Sequence, residues 1–257
     1  MMARRVSRRK EPSREFYTIH EQNKIDSGIF DTKTMILLSK FYNKGIIGKL
    51  EFITARGKEA DVYIATPGVA EAVNGVKFVI VKFFRIETSS FLKMSDYITG
   101  DTRFSKIRLT KSTIVKTWCR KEMGNLRIAE AAGILAPRPY MAHGSILAME
   151  FIGDEDGKPA PQLKYVELEE PEKTLSLIIK QIRSLYRKQL VHADISEYNI
   201  LVKDARPYII DFGQAVVLKH PNAAIFLERD VRNIVNYFRK RYSTKREFEE
   251  SMRYITG

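Results

Sequence analysis

Two aspartates and an asparagine carry the clearest chemistry in this sequence. In Leu190-Val191-His192-Ala193-Asp194-Ile195-Ser196-Glu197-Tyr198-Asn199-Ile200-Leu201, an H-x-D triplet is followed by an Asn five residues after its Asp, running into an apolar stretch. Ile209-Ile210-Asp211-Phe212-Gly213 comes about ten residues later. Phosphoryl transfer needs a carboxylate to accept the proton of the incoming hydroxyl. It also needs hard oxygen ligands that hold Mg2+ against the nucleotide's phosphates. Asp194 suits the first role, Asn199 and Asp211 the second. Gly213 is expected to let the chain turn sharply after the metal ligand. An Asp-Phe-Gly alone is often a strand end, and a lone H-x-D is common. The set at this spacing points to an ATP-dependent phosphotransferase.

Such a site needs a cation for the phosphates. Val79-Ile80-Val81-Lys82-Phe83 puts one charged side chain in an apolar strand. An unpaired buried ammonium is costly, so Lys82 requires a partner. On the helix that follows, Val115, Trp118, Cys119, Leu126 and Ala129 share one face, with Glu122 in the middle of that stripe. Pairing Lys82 with Glu122 satisfies both and places the ammonium beside the α and β phosphates. Between the first two strands, the loop from Thr54 to Asp61 stands where a phosphate cradle belongs. It has a single glycine, Gly57, and is not G-x-G-x-x-G; its backbone N–H groups, with Thr54, Lys58 and Glu59, can still reach phosphates.

Among the elements that must position the site, Asp31 reads as the cap of a helix carrying Met35, Leu38 and Phe41, which Gly45 ends. Strands are expected at 50–54, 62–66 and 76–84, with turns at Pro67-Gly68 and a hairpin signal at Asn74-Gly75. Residues 86–112, polar and without a steady period, read as a long flexible loop. A helix over 114–132 ends at Gly133, a strand follows at 145–151, and 153–161 is an acidic connector. Leu175, Ile178, Ile179, Ile182 and Leu185 mark an amphipathic helix. Short strands near 200–202 and 208–210 precede helices over 224–239 and from 244. The order implies an α+β fold of two lobes, with the ligand site in the cleft between them. We expect a basic arm and N-terminal helix over 1–48, an N-lobe over 49–149 and a hinge with a C-lobe over 150–257.

The chain has 257 residues, 44% hydrophobic and 29% charged, which fits an ordinary globular protein able to bury a core without staples. One cysteine, Cys119, excludes an intramolecular disulfide and suggests a reducing, cytoplasmic setting. There is no run of eighteen apolar residues and no signal peptide pattern, so no membrane partner is expected. A net charge of +13 attracts polyanions, with clusters at Arg4, Arg5, Arg8, Arg9 and Lys10 and at Arg239, Lys240 and Arg241. Nucleic acid is the expected large partner, bound through charge and shape, since no RNA-recognition sequence or zinc-finger spacing is present.

Taken together, these residues resemble the RIO family of atypical serine/threonine protein kinases, and its type 1 branch most closely, over roughly residues 50–240. Gly57-Lys58-Glu59-Ala60-Asp61-Val62-Tyr63 is similar to the family's phosphate loop, and His192 to Ile200 to its catalytic loop. Met149-Glu150-Phe151-Ile152-Gly153 resembles its hinge, where backbone groups of Glu150 and Ile152 would meet adenine. Residues 86–112 match the branch's flexible loop in place, and no winged-helix pattern precedes residue 50. The resemblance implies a protein-kinase-like fold with a reduced C-lobe, ATP with Mg2+ or Mn2+ as cofactors, autophosphorylation or an ATPase cycle, and phosphorylation of Asp211. It also implies action in maturation of the small ribosomal subunit and contact with its precursor RNA; a monomer is expected. No A-P-E segment follows Asp211, and Ser196 stands where many kinases have a lysine, so general phosphorylation of protein substrates is not implied. Two alternatives share features with this chain. Small-molecule phosphotransferases of the aminoglycoside or choline kinase type share the H-x-D…N…D skeleton but carry a larger helical acceptor domain. An RNA-binding scaffold switched by ATP would not need every catalytic residue.

Overall fold

The structure is a computed structural model that describes residues 31–57, 59–72, 74–85, 91–104 and 110–257, with backbone alone at 91–93. The arginine-rich arm and Lys58 lie outside the described residues. Asp31 caps helix α1 (Thr32–Asn43), its carboxylate accepting from the Thr34 N–H at 2.8 Å. Gly45, at φ +67°, then reverses the chain.

Strands β1 (Ile47–Arg56), β2 (Ala60–Pro67) and β3 (Val79–Phe84) follow. The connection between β2 and β3 contains a short helix, α2 (Val69–Ala72), so Asn74-Gly75 closes a longer link rather than a two-residue hairpin. Together with β4 (Pro139–His143) and β5 (Ile146–Glu150) these strands form an antiparallel sheet ordered β1-β2-β3-β5-β4. The alternation of β3 sorts its side chains between two faces. Val79, Val81 and Phe83 join Leu38 and Phe41 of α1 in one core. Ile80 and Lys82 point the other way, into the cleft.

Within the segment expected to be a long loop, the structure contains helix α3 (Phe91–Thr99) and a single 3-10 turn, Thr102–Phe104. Met94 and Ile98, one helical turn apart, are fully buried against the helix that follows, and this packing outweighs the segment's polar composition. That next helix, α4 (Lys111–Ala131), starts with a reciprocal cap between Thr110 and Thr113, and Gly133 at φ +67° lies just past its end.

The second half packs helices α5 (Pro171–Arg187), α6 (Ala223–Tyr242) and α7 (Phe248–Thr256) around a second core that includes Ile178, Ile182, Val231 and Phe238. Two small two-stranded sheets, β6 (Leu190–Val191) with β9 (Val216–Val217) and β7 (Ile200–Lys203) with β8 (Arg206–Ile209), bracket the segment carrying Asp194 and Asp211. The architecture is α+β in two lobes, with α4 and the connector after β5 between sheet and helices.

Candidate active site

Lys82 reaches both halves of the molecule at once. Its Nζ lies 2.9 and 3.0 Å from the two Glu122 carboxylate oxygens and 2.9 Å from Asp211 Oδ1. Glu122 is 1% exposed at its side chain, while the Asp211 side chain is 49% exposed and open to the cleft. Burial alone would lower the pKa of the ammonium, but Asp211 and Glu122 hold it well above an ordinary lysine, so it stays charged. Burial pushes the Glu122 carboxyl up to about 7, against the pull of Lys82. Lys82 holds Asp211 below the usual carboxylate range, and that group remains anionic.

Asp194 and Asn199 form the second cluster. The Asn199 amide Nδ2 donates to Asp194 Oδ2 and to the Asp194 carbonyl, each at 2.9 Å. This fixes the amide so that its Oδ1 has no protein partner among the described residues. Burial, and then the Asp211 charge, raise the pKa of Asp194, with Asn199 opposing. The loop itself is held from α6. Asp230, 1% exposed, accepts from the N–H groups of Ala193 at 2.7 Å and Ile195 at 2.9 Å. Ala193 sits at φ +65°, uncommon for a residue with a side chain, and the two bonds from Asp230 hold it there. His192 is not part of the chemistry. Burial lowers its pKa to about 4, and the neutral ring donates from Nε2 to the Ile210 carbonyl at 3.1 Å while packing edge-on against Phe212.

The Asp-Phe-Gly turn differs from expectation in one respect. The left-handed residue is Asp211, at φ +66°, not Gly213. A Cβ on Gly213 would lie 2.8 Å from Trp118 Nε1, so the glycine serves the close approach of α4. That approach is completed by two buried residues the sequence did not single out. Lys121 Nζ donates to the carbonyls of Gly213 at 2.9 Å and Ala215 at 2.5 Å, and Asn125 Nδ2 donates to those of Phe212 and Ala215 at 2.8 Å. One helix therefore presents Glu122 to Lys82 and Lys121 with Asn125 to the turn after Asp211. Lys121, Glu122 and Asn125, three polar residues on the apolar side of one helix, were the signal that could have found them.

The remaining candidates line a cavity of about 550 Å3 beside Lys82. Its apolar end includes Ile80, Met149, Leu201 and Ile210. Glu150 and Ile152 both face it, but their backbones differ in availability. The Glu150 N–H donates to the Arg138 carbonyl at 2.8 Å, and the Ile152 carbonyl accepts from Ala160 at 3.0 Å, which leaves the Ile152 N–H as the donor on this edge. Thr54, Gly57 and Glu59 close the opposite side. The hairpin there is tighter than expected, since Thr54 belongs to β1 with its hydroxyl on the Val62 carbonyl at 3.1 Å, and Gly57 donates to Ala60 at 2.9 Å. Gln214, also unanticipated, donates from Nε2 to Asp194 Oδ2 at 3.2 Å.

Of the second basic cluster, Arg241 pairs with Glu167 at 3.0 Å and Arg239 with Glu247 at 3.5 Å, so much of that charge is neutralised within the fold. No described helix is long and apolar enough to cross a membrane.

A sequence model of the RIO domain matches residues 61–251. The RIO-type serine/threonine-protein kinase Rio1 of Haloferax volcanii is 36% identical over 99% of this chain and 87% of its own length. The protein of the same name from Thermoplasma acidophilum is 47% identical over 67% of this chain and 90% of its own. Among solved structures, the Rio2 kinase from Chaetomium thermophilum, crystallised as an ADP/Mg2+-phosphoaspartate complex, superposes with a TM-score of 0.64. It shares 23% identity, over 86% of this chain and 65% of that one, a likeness that establishes the kinase-like fold.

Proposed function

The chain belongs to the RIO family, and from that premise we propose that it is an atypical serine/threonine kinase that moves the γ-phosphoryl group of ATP. The observation that carries this reading is the convergence of Lys82, Glu122 and Asp211 at 2.9 Å contacts on a cavity also lined by Gln214, which donates to Asp194, itself held by Asn199. In this reading the Ile152 N–H and the backbone at Glu150 meet adenine, and Lys82 meets the α and β phosphates. Thr54, Gly57, Lys58 and Glu59 cover the phosphates. Asp194 accepts the proton of the acceptor; burial raises its pKa and so favours its action as a base.

The residues fit Mg2+. The half-exposed Asp211 carboxylate and the Asn199 Oδ1, whose amide is fixed through Nδ2, are hard oxygens, and Mg2+ takes one or two such ligands together with substrate phosphates. Bound there, the metal would neutralise charge developing on the phosphate oxygens. Mn2+ would fit the same donors. Asp211 is also a candidate phosphate acceptor. The phosphoaspartate in the Rio2 kinase structure supports this second use, and with it an ATPase cycle.

We further place the chain in the cytoplasm as a monomer acting in small ribosomal subunit maturation, on precursor RNA. The family resemblance and the +13 net charge support that assignment. The test of the chemistry is incubation with labelled ATP and Mg2+, comparing wild type with Asp194→Asn and Asp211→Asn. Loss of protein-bound label and of released phosphate in both variants is expected; unchanged yields would sink the reading. For the partner, affinity for small-subunit precursor RNA should fall steeply with salt, and salt-independent binding would argue against a charge-driven contact.

A further inference from the structure

Asp211 is held at two points. Its carboxylate meets Lys82 at 2.9 Å. The backbone that follows it is gripped by α4, where the carbonyls of Phe212, Gly213 and Ala215 accept from Lys121 or Asn125 at distances between 2.5 and 2.9 Å. The gripped turn is strained at its start, since Asp211 sits at φ +66° with a side chain to accommodate. A conformation of that kind persists only where its surroundings over-determine it.

Both donors are fully buried, and neither is a comfortable way to fill a core. The Lys121 ammonium faces two neutral carbonyls, and Asn125 Oδ1 is buried with no hydrogen-bond partner among the described residues. Groups left incompletely satisfied in this way call for a role beyond packing. Lys121 and Asn125 lie one turn apart on the helix that presents Glu122 to Lys82, so α4 transmits the position of β3 to the turn after Asp211.

In the reading proposed above, Lys82 also serves the nucleotide phosphates and Asp211 the metal. Each end of their contact then has a second partner, and that contact no longer fixes the carboxylate by itself. The bonds from α4 have no such competitor, because they end on buried carbonyls. We propose that Lys121 and Asn125 are positioning residues for Mg2+, whose grip on the backbone after Asp211 aims its carboxylate at the metal when nucleotide is bound. The inference rests on the reading of Asp211 as a metal ligand. Groups that orient a metal ligand without touching the metal typically change its affinity about 10–100-fold when removed.

The experiment follows equilibrium binding of ADP labelled with a fluorophore on the ribose, without metal and across a Mg2+ titration. It compares the wild-type chain with Asn125→Leu, Lys121→Met and Asp211→Asn. Leu and Met keep the approximate size of the side chains they replace and remove the donors. The Mg2+ concentration that half-saturates the metal-dependent gain in affinity should rise about tenfold or more in both, while metal-free affinity stays within about twofold. Retained metal-free binding also shows that the variants are folded. An unchanged Mg2+ midpoint would overturn the proposal, as would equal losses with and without metal. Asn125→Ser, which shortens the side chain and stays polar, replaces either variant that loses metal-free binding. The same loss in all three would make the pair a support of the fold alone, which overturns the proposal too. Asp211→Asn separates the two readings. If it binds Mg2+ and nucleotide as wild type does, Asp211 is not the ligand and the proposal falls with that reading. If it loses the metal-dependent gain while Asn125→Leu and Lys121→Met keep it, the proposal alone falls.

Discussion

Lys82 and Asp211 lie 2.9 Å apart although 129 residues separate them in the chain. That contact joins the antiparallel sheet to the helical lobe at the point where phosphate and metal would meet. Glu122 holds the same ammonium from the other side, so one lysine joins a strand, a helix and a turn.

Replacing Lys82 with Met should therefore separate catalysis from folding. ATP turnover should fall about 100-fold or more, since a preorganised cation at the phosphates is removed. The fold should persist, because Glu122 can take a proton once its partner is gone. The carboxyl is buried, so its folded pKa lies above its unfolded one and the folded state binds the extra proton. Wild-type Glu122 already sits at about 7 with Lys82 beside it, and loss of the ammonium raises it further, so stability of the variant relative to wild type should decline as pH rises above about 7. Urea titrations at several pH values check this, and global unfolding at pH 6 would make Lys82 a structural residue.

Asp230→Ala should act on both stability and rate. Two buried N–H groups, of Ala193 and Ile195, lose their acceptor, and the strained Ala193 loses its restraint. The cost should be roughly 3 kcal/mol, measured by denaturant unfolding. The maximal rate should drop more than nucleotide affinity, because the displaced group is Asp194. Equal effects on both would point to general loosening.

Gly213→Ala offers a spectroscopic test. The added Cβ would lie 2.8 Å from the indole nitrogen of Trp118, which is 2% exposed. Overpacking of this kind costs roughly 1–3 kcal/mol. Trp118 is the single tryptophan of the chain, so its emission should shift on substitution. Mg2+-dependent turnover should fall with it, as the turn carrying Asp211 moves. An unchanged spectrum with full activity would show that the turn accommodates a methyl group.

The parts of this site that the sequence revealed are those whose chemistry is local or whose burial is paradoxical. Asp194, Asn199 and Asp211 share a short spacing, and Lys82 and Glu122 are charges on apolar faces that need each other. Gln214, Lys121 and Asn125 act through backbone carbonyls or a single carboxylate brought together by folding; the stripe of α4 marks Lys121 and Asn125 as buried polar residues, but no spacing announces which partners they meet. Helix α3 escaped because its buried stripe is short, with Met94 and Ile98 set among serine, threonine and charge. Strand β4 was hidden by its own Pro139, which an edge strand accepts at its first position.

Lys121 should leave a signature in the alkaline range. Its ammonium is fully buried, and its hydrogen-bond partners are the neutral carbonyls of Gly213 and Ala215. Burial pushes its pKa down to about 7, with Asp101 opposing. Between that value and the roughly 10.5 of an unfolded lysine, the unfolded chain holds a proton that the folded chain has released. Stability rises with pH wherever the unfolded state binds more protons. Wild type should therefore gain on Lys121→Met as pH climbs from about 7 to 10, with the difference levelling below pH 7. Stability curves for the two proteins, read as a difference, isolate this group from the other titrations. A difference that is flat with pH would mean that the ammonium stays charged in the folded protein, held by the carbonyls and by the Trp118 ring 5.3 Å away.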